Sequence, residues 1–218
     1  MAQYDYQVFL NVPFDNRYRK LLHALIFAVQ DCGLVARCAL EKDDGGQVRV
    51  DKLYDIIRDC RFGIHDLSRT TLDTRYRLPR FNMPLELGVF LGARRFGNPT
   101  QRRKSCLILD RDRYRYQIFC SDISGQDVRA HGNDVSQALA VVRNWLQANL
   151  STSRPLPSPS MVIARYIECR HQLPFMCQVE NLRLSELTFL DYQKLVIAWI
   201  AENPRKCIAR LAHRVHPE

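Results

Sequence analysis

No stretch of this 218-residue chain approaches the roughly 18 to 20 uninterrupted apolar residues of a membrane-spanning helix. The first residues, Met1 to Tyr6, do not pair a basic flank with an apolar run, so no membrane association and no secretory signal are expected. None of the eight cysteines (Cys32, Cys38, Cys60, Cys106, Cys120, Cys169, Cys177 and Cys207) belongs to a Cys-x-x-Cys pair. Several sit in apolar runs, as Cys106 does before Leu107, Ile108 and Leu109. Buried free thiols in a reducing cytoplasm are therefore expected rather than disulfides or zinc. His171, close to Cys169 and Cys177, fits no zinc spacing, and no metal is predicted.

Long blocks of basic charge are also missing, although the formal charge is +9 and the pI about 9.3. The densest groups are Arg94 with Arg95, Arg102 to Lys104, and Arg111, Arg113 and Arg115. With no recognised binding motif and no basic-aromatic platform, nucleic acid is not an expected partner. A solvated basic surface, with some arginines meeting phosphates, accounts for the charge. What the chain does have is 46% hydrophobic and 25% charged residues, enough to build a core.

Tyr6 to Leu10 reads as a buried strand, followed by a loop in which Asp15 is a plausible N-cap. Tyr18 to Asp31 carries Leu21, Leu22, Leu25, Ile26 and Val29 at helical spacing and stops at Gly33. Leu34 to Leu40 is a second strand, Val50 to Cys60 a second helix, and Phe62 to Leu67 a third strand. Asp43 and Asp44 fall in a solvated turn between the second strand and the second helix. A polar loop, Ser68 to Phe81, leads to a third helix at Asn82 to Arg95. Ser105 to Asp110 is a fourth strand, Tyr114 to Ser121 is ambiguous, Val128 to Ala130 is a short fifth strand, and Asn133 to Asn149 is a helix. Strands alternating with helices predict an α/β fold, a small doubly wound, flavodoxin-like parallel sheet with helices on both faces. Residues 1–150 form this unit, 151–160 a Pro/Ser-rich linker, and 161–218 a helical C-terminal appendage with helices at about Met161 to His171 and Ser185 to Glu202. Packing of the appendage against the first unit or a second subunit is expected.

Ligands of such sheets lie at the carboxyl ends of the strands where crossovers diverge, here between the first and third strands. That places the loops Asn11 to Asp15 and Asp66 to Phe81 beside the crevice. In the helix that follows, Asn82 reads as N-cap and Pro84 fits the first turn. Gly88 and Gly92 share a face, which a close approach of the helix backbone to sheet or ligand would explain. Glu86 sits among apolar neighbours near the helix N-terminus, whose dipole favours its ionised form. From spacing alone Glu86 is equally a surface or capping residue, and Asp66 equally a turn cap.

The run Asn82 to Gly88, with Glu86 and Leu87 between, preceded by Ile64 to Ser68 and by Val8 to Phe14, resembles the nucleoside 2-deoxyribosyltransferase family and the related TIR-like nucleotide-binding proteins. The resemblance covers residues 4 to 150. It implies chemistry at an N-glycosidic bond, with Glu86 as nucleophile or cation stabiliser and Asp66 orienting the ribose or assisting the leaving base, as a carboxylate meets an oxocarbenium-like transition state in glycoside hydrolysis. Asn11, Phe14, Asp15, Ser68, Arg80 and Asn82 would line the substrate. The first loop departs from the transferase form. Arg69, Arg75, Arg77 and Arg80 suit a phosphate-bearing ligand better than a bare nucleoside. The resemblance therefore implies NAD as a substrate rather than a cofactor, hydrolysed in a bacterial defence or signalling setting. Deoxyribosyl transfer, or a silent nucleotide-sensing adaptor, is the alternative. Transferases complete their sites between subunits, which implies a homo-oligomer.

Overall fold

A computed structural model describes residues 3–70, 81–151 and 155–205. Five parallel strands form one sheet in the order β2-β1-β3-β4-β5: β1 (Gln7–Asn11), β2 (Val35–Arg37), β3 (Phe62–Asp66), β4 (Ser105–Asp110) and β5 (Val128–Ala130). The described helices are α1 (Arg19–Asp31), α2 (Arg49–Asp59), α3 (Asn82–Phe96), the single turn α4 (Pro99–Arg102), α5 (Val135–Asn149), α6 (Pro159–Val179) and α7 (Phe189–Glu202). The doubly wound α/β fold is thus as expected.

Alternation along the strands assigns each side chain to a layer. Val8 and Leu10 of β1, with Phe62 and Ile64 of β3, enter the core under α1 and α5. Phe9 points the other way, into a core with Leu53, Ile56 and Ile57 of α2 and Phe90 of α3. Gly63 lies on that second face. A Cβ there would stand 2.8 Å from the Phe90 ring, so only glycine lets α3 approach. Helix α1 ends as the sequence predicts: Gly33 adopts φ +84, and the Leu34 N–H returns to the Val29 carbonyl.

Several boundaries differ. Strand β2 is only three residues long, because residues 39–41 turn into a 3-10 segment held by Arg37, which pairs with Glu41 at the edge of the sheet. Asn82 does not cap α3. It is the first helical residue, exposed, and the cap position falls on Phe81 without a side-chain bond. Tyr114 to Ser121 forms 3-10 turns. Helix α6 runs through Pro174 to Val179, well beyond His171. Burial of Cys169, Leu173 and Cys177 along one face offsets the bond that the proline removes. Helix α7 begins later than predicted, at a capping box between Thr188 and Asp191. A methyl group added at Gly88 or Gly92 would meet no described atom within 4 Å beyond the helix's own backbone, so α3 makes no close approach to the sheet at these glycines.

The C-terminal helices share the main core. Val162, Tyr166, Leu173, Tyr192, Leu195 and Trp199 belong to the same buried cluster as α1 and α5. Asp31, fully buried at the end of α1, receives Arg165 Nε of α6 at 3.0 Å. Arg165 also donates to the Asn203 carbonyl beyond α7 and lies over the Trp199 ring. Among the described residues the cysteines are free, no cluster could hold a metal ion, and no helix is long and apolar enough to cross a membrane.

Candidate functional site

The layer rule carries to the carboxyl ends of the strands. Asn11 follows Phe9 onto the α3 side, where its Nδ2 donates to the Met83 carbonyl at 2.8 Å and lies 3.0 Å from His65 Nδ1. His65 is wholly buried between Phe9 and Phe90, and burial, helped by Lys104, lowers its pKa to about 3. A neutral His65 accepts at Nδ1 and carries its proton on Nε2. The Asn11 amide oxygen and the Ser68 hydroxyl, both at this edge, are buried without a partner among the described residues.

Asp66, one position on from His65, falls on the α1 and α5 side and is 0% exposed. Its Oδ1 accepts the Ser68 N–H at 2.7 Å, and its Oδ2 meets the Tyr18 hydroxyl and lies 3.0 Å from His131 Nε2. The Asn133 N–H donates to His131 Nδ1, which fixes the imidazole proton on Nε2, facing the carboxylate. That approach has the length of an ion pair but not the alignment of a hydrogen bond. Burial alone would push the Asp66 pKa up; the contacts from His131, Tyr18 and Ser68 outweigh it and hold the group below its usual value. Asp110 ends β4 in the same way. Arg115 donates to it and to the Leu67 carbonyl, tying the loops after β3 and β4 together. Burial raises the Asp110 pKa against the pull of Arg115.

Glu86 projects from the first turns of α3 and is half-buried. Desolvation lifts its pKa from 4.5 to about 7, and Arg49 opposes the rise. Burial thus raises the pKa where the position near the helix N-terminus led to the expectation of a favoured ionised form. No ion pair or hydrogen bond joins Glu86 to another described residue.

Arg49 is the link to a cavity of about 620 Å³, which opens beside the carboxyl ends of β1 and β2. Its walls come from the β1 loop (Phe14, Asp15), from α1 (Arg19, His23), from the segment between β2 and α2 (Lys42 to Arg49) and from the start of α7 (Thr188, Tyr192). The volume is that of a small-molecule site. Of its charged groups, Asp15 is engaged by Arg69 and by the N–H groups of Arg17 and Tyr18, as its N-capping position predicts. Arg19 is held by the Ser185 carbonyl and Asn16. Lys42 has no hydrogen bond or ion pair among the described residues, and the charge of Arg49 acts on Glu86.

No family model, curated protein or solved structure matches this chain.

The predicted residues thus divide into groups. Phe14 and Asp15 line the cavity. Asn11 and Ser68 lie buried at the β1 and β3 edge, and Asp66 lies beneath them with its oxygens taken. Glu86 does not line the cavity, although Arg49, which does, acts on it. Asn82 is exposed, and Arg80 lies outside the described residues. Sequence reasoning missed His23, Arg49 and Tyr192, because they come from three distant segments. It also missed the Tyr18, His131, Asp110 and Arg115 network. One signal was available: Asp110 closes β4 as Asp66 closes β3.

Proposed function

We propose that the protein binds a nucleotide in the cavity between α1, α2 and α7 and cleaves or transfers at its N-glycosidic bond, with NAD as the leading substrate. One observation carries this: Glu86 is a half-buried carboxylate without an ion-pair partner among the described residues, its pKa raised to about 7, and Arg49, whose charge acts on it, lines a ligand-sized cavity. A carboxylate poised near neutral pH is suited to a step in which positive charge develops beside it. In NAD the bond between the ribose C1′ and the nicotinamide nitrogen breaks with its electron pair leaving on nitrogen, which neutralises the pyridinium. The positive charge passes to C1′, and a nucleotide that extends past Arg49, beyond the cavity lining, would bring that carbon to ionised Glu86. Water then adds its oxygen to C1′ and gives up a proton. Lys42 and Arg49 suit the pyrophosphate, and buried Asp66 positions the loop that Ser68 opens rather than touching the ribose.

Incubation with NAD should release nicotinamide, and Glu86→Gln should slow release by about 10²-fold or more. Full activity in the variant removes Glu86 from this role. A nucleotide-sensing module without chemistry is the second reading, favoured by the position of Glu86 outside the cavity lining. A nucleotide that raises the melting temperature and is recovered intact would select it.

A further inference from the structure

The cavity holds a feature that cleavage at Glu86 does not use. His23 of α1 and Tyr192 of α7 are stacked, with ring centroids 3.7 Å apart and planes within 8°. Tyr192 is 2% exposed and its hydroxyl donates to the His23 backbone carbonyl, so its ring is fixed from behind. His23 is only half-buried, and both rings line the cavity. One face of the imidazole is thus backed by tyrosine while the residue still borders the open volume. Burial, with Arg19 one helical turn away, lowers the His23 pKa to about 4, so the ring is neutral at physiological pH. A neutral flat ring on a rigid backing is a surface for stacking another flat ring. The cations Arg19, Lys42, Arg49 and Lys52 line the same cavity, together with the carboxylates Asp15, Asp43 and Asp44; Asp15 is paired with Arg69.

We infer that His23, backed by Tyr192, is the platform on which the base of a phosphorylated nucleoside stacks, with its phosphates towards Arg19, Lys42 and Arg49. This rests on the nucleotide reading of the cavity and extends it. It gives the C-terminal helices a part in binding, since α7 supplies the backing ring and a wall. It also makes the ligand a base carrying phosphate, rather than a phosphorylated sugar alone.

The test is calorimetric titration of the full chain with ADP and with ribose 5-phosphate, comparing wild type, His23→Phe and His23→Leu. Phenylalanine keeps a flat face, whereas leucine keeps bulk without one, so folding effects are shared by the pair. Wild type and His23→Phe should bind ADP within about threefold of each other, and His23→Leu about 10-fold or more weaker, in line with the stacking of one base. Ribose 5-phosphate should not distinguish Phe from Leu. Equal ADP affinity for the Phe and Leu variants overturns the platform while leaving chemistry at Glu86 standing. Failure of wild type to bind ADP at all overturns both the platform and the nucleotide reading of this cavity.

Discussion

Two histidines and one glutamate are held away from their ordinary protonation, and their effects on stability oppose one another. His65 and His23 are depressed to about 3 and about 4, chiefly by burial. As pH falls below about 6.5 the unfolded chain takes up protons that the folded chain refuses, and each such histidine removes up to ~1.4 kcal/mol per pH unit. Glu86, raised to about 7, works in the other direction, because below pH 7 the folded chain binds the proton first. Two protons against one leaves a net loss of stability from pH 6.5 towards 5. Glu86→Gln should steepen that loss and, above pH 7, should stabilise the fold by on the order of 1 kcal/mol after screening at a half-buried site. Urea midpoints for wild type and variant between about pH 5 and 8 check both effects. Equal midpoints above pH 7 would show that the Glu86 carboxylate is not destabilised by its surroundings.

Within the elements, glycines of identical type have opposite consequences. Gly63→Ala places a methyl 2.8 Å from the Phe90 ring and 2.7 Å from His65 Nε2, and should cost about 1–3 kcal/mol by forcing α3 away from β3. Gly88→Ala and Gly92→Ala meet open space and should each stabilise by up to ~1 kcal/mol, through helix propensity alone. Thermal melts of the three variants separate these cases. The same contrast shows what the sequence made legible. The parallel α/β fold followed from the alternation of strands with helices, and Asp66 followed from the position of the β1 and β3 loops beside the crevice, whereas Asp110 at the end of β4 did not. The roles of Gly88, Asn82 and the length of α6 did not follow, since each depends on what packs, or fails to pack, against the helix. Candidate site residues within one loop, such as Phe14 and Asp15, were legible. The cavity was not, because its walls meet only after α7 docks on α1.

Across the whole molecule, the ion pair between Arg165 and Asp31 connects the C-terminal helices to the sheet domain, and with it the wall of the cavity. Removing Arg165 leaves the buried Asp31 charge with only Arg205, 3.9 Å away, among the described residues: Arg165→Met should cost about 3 kcal/mol, whereas adding Asp31→Asn should restore much of the loss, a coupling that a double-mutant cycle measures. Independent, additive effects would mean that the pair does not fasten the two parts. The claim that joins fold to function is that Glu86 acts as an ionised carboxylate at the bond being broken. Its most direct test is the pH dependence of nicotinamide release from NAD at subsaturating substrate. The rate should rise as pH increases through about 7 and level off above it. Release that stays constant from about pH 5.5 to 8.5, or that persists unchanged in Glu86→Gln, would contradict it.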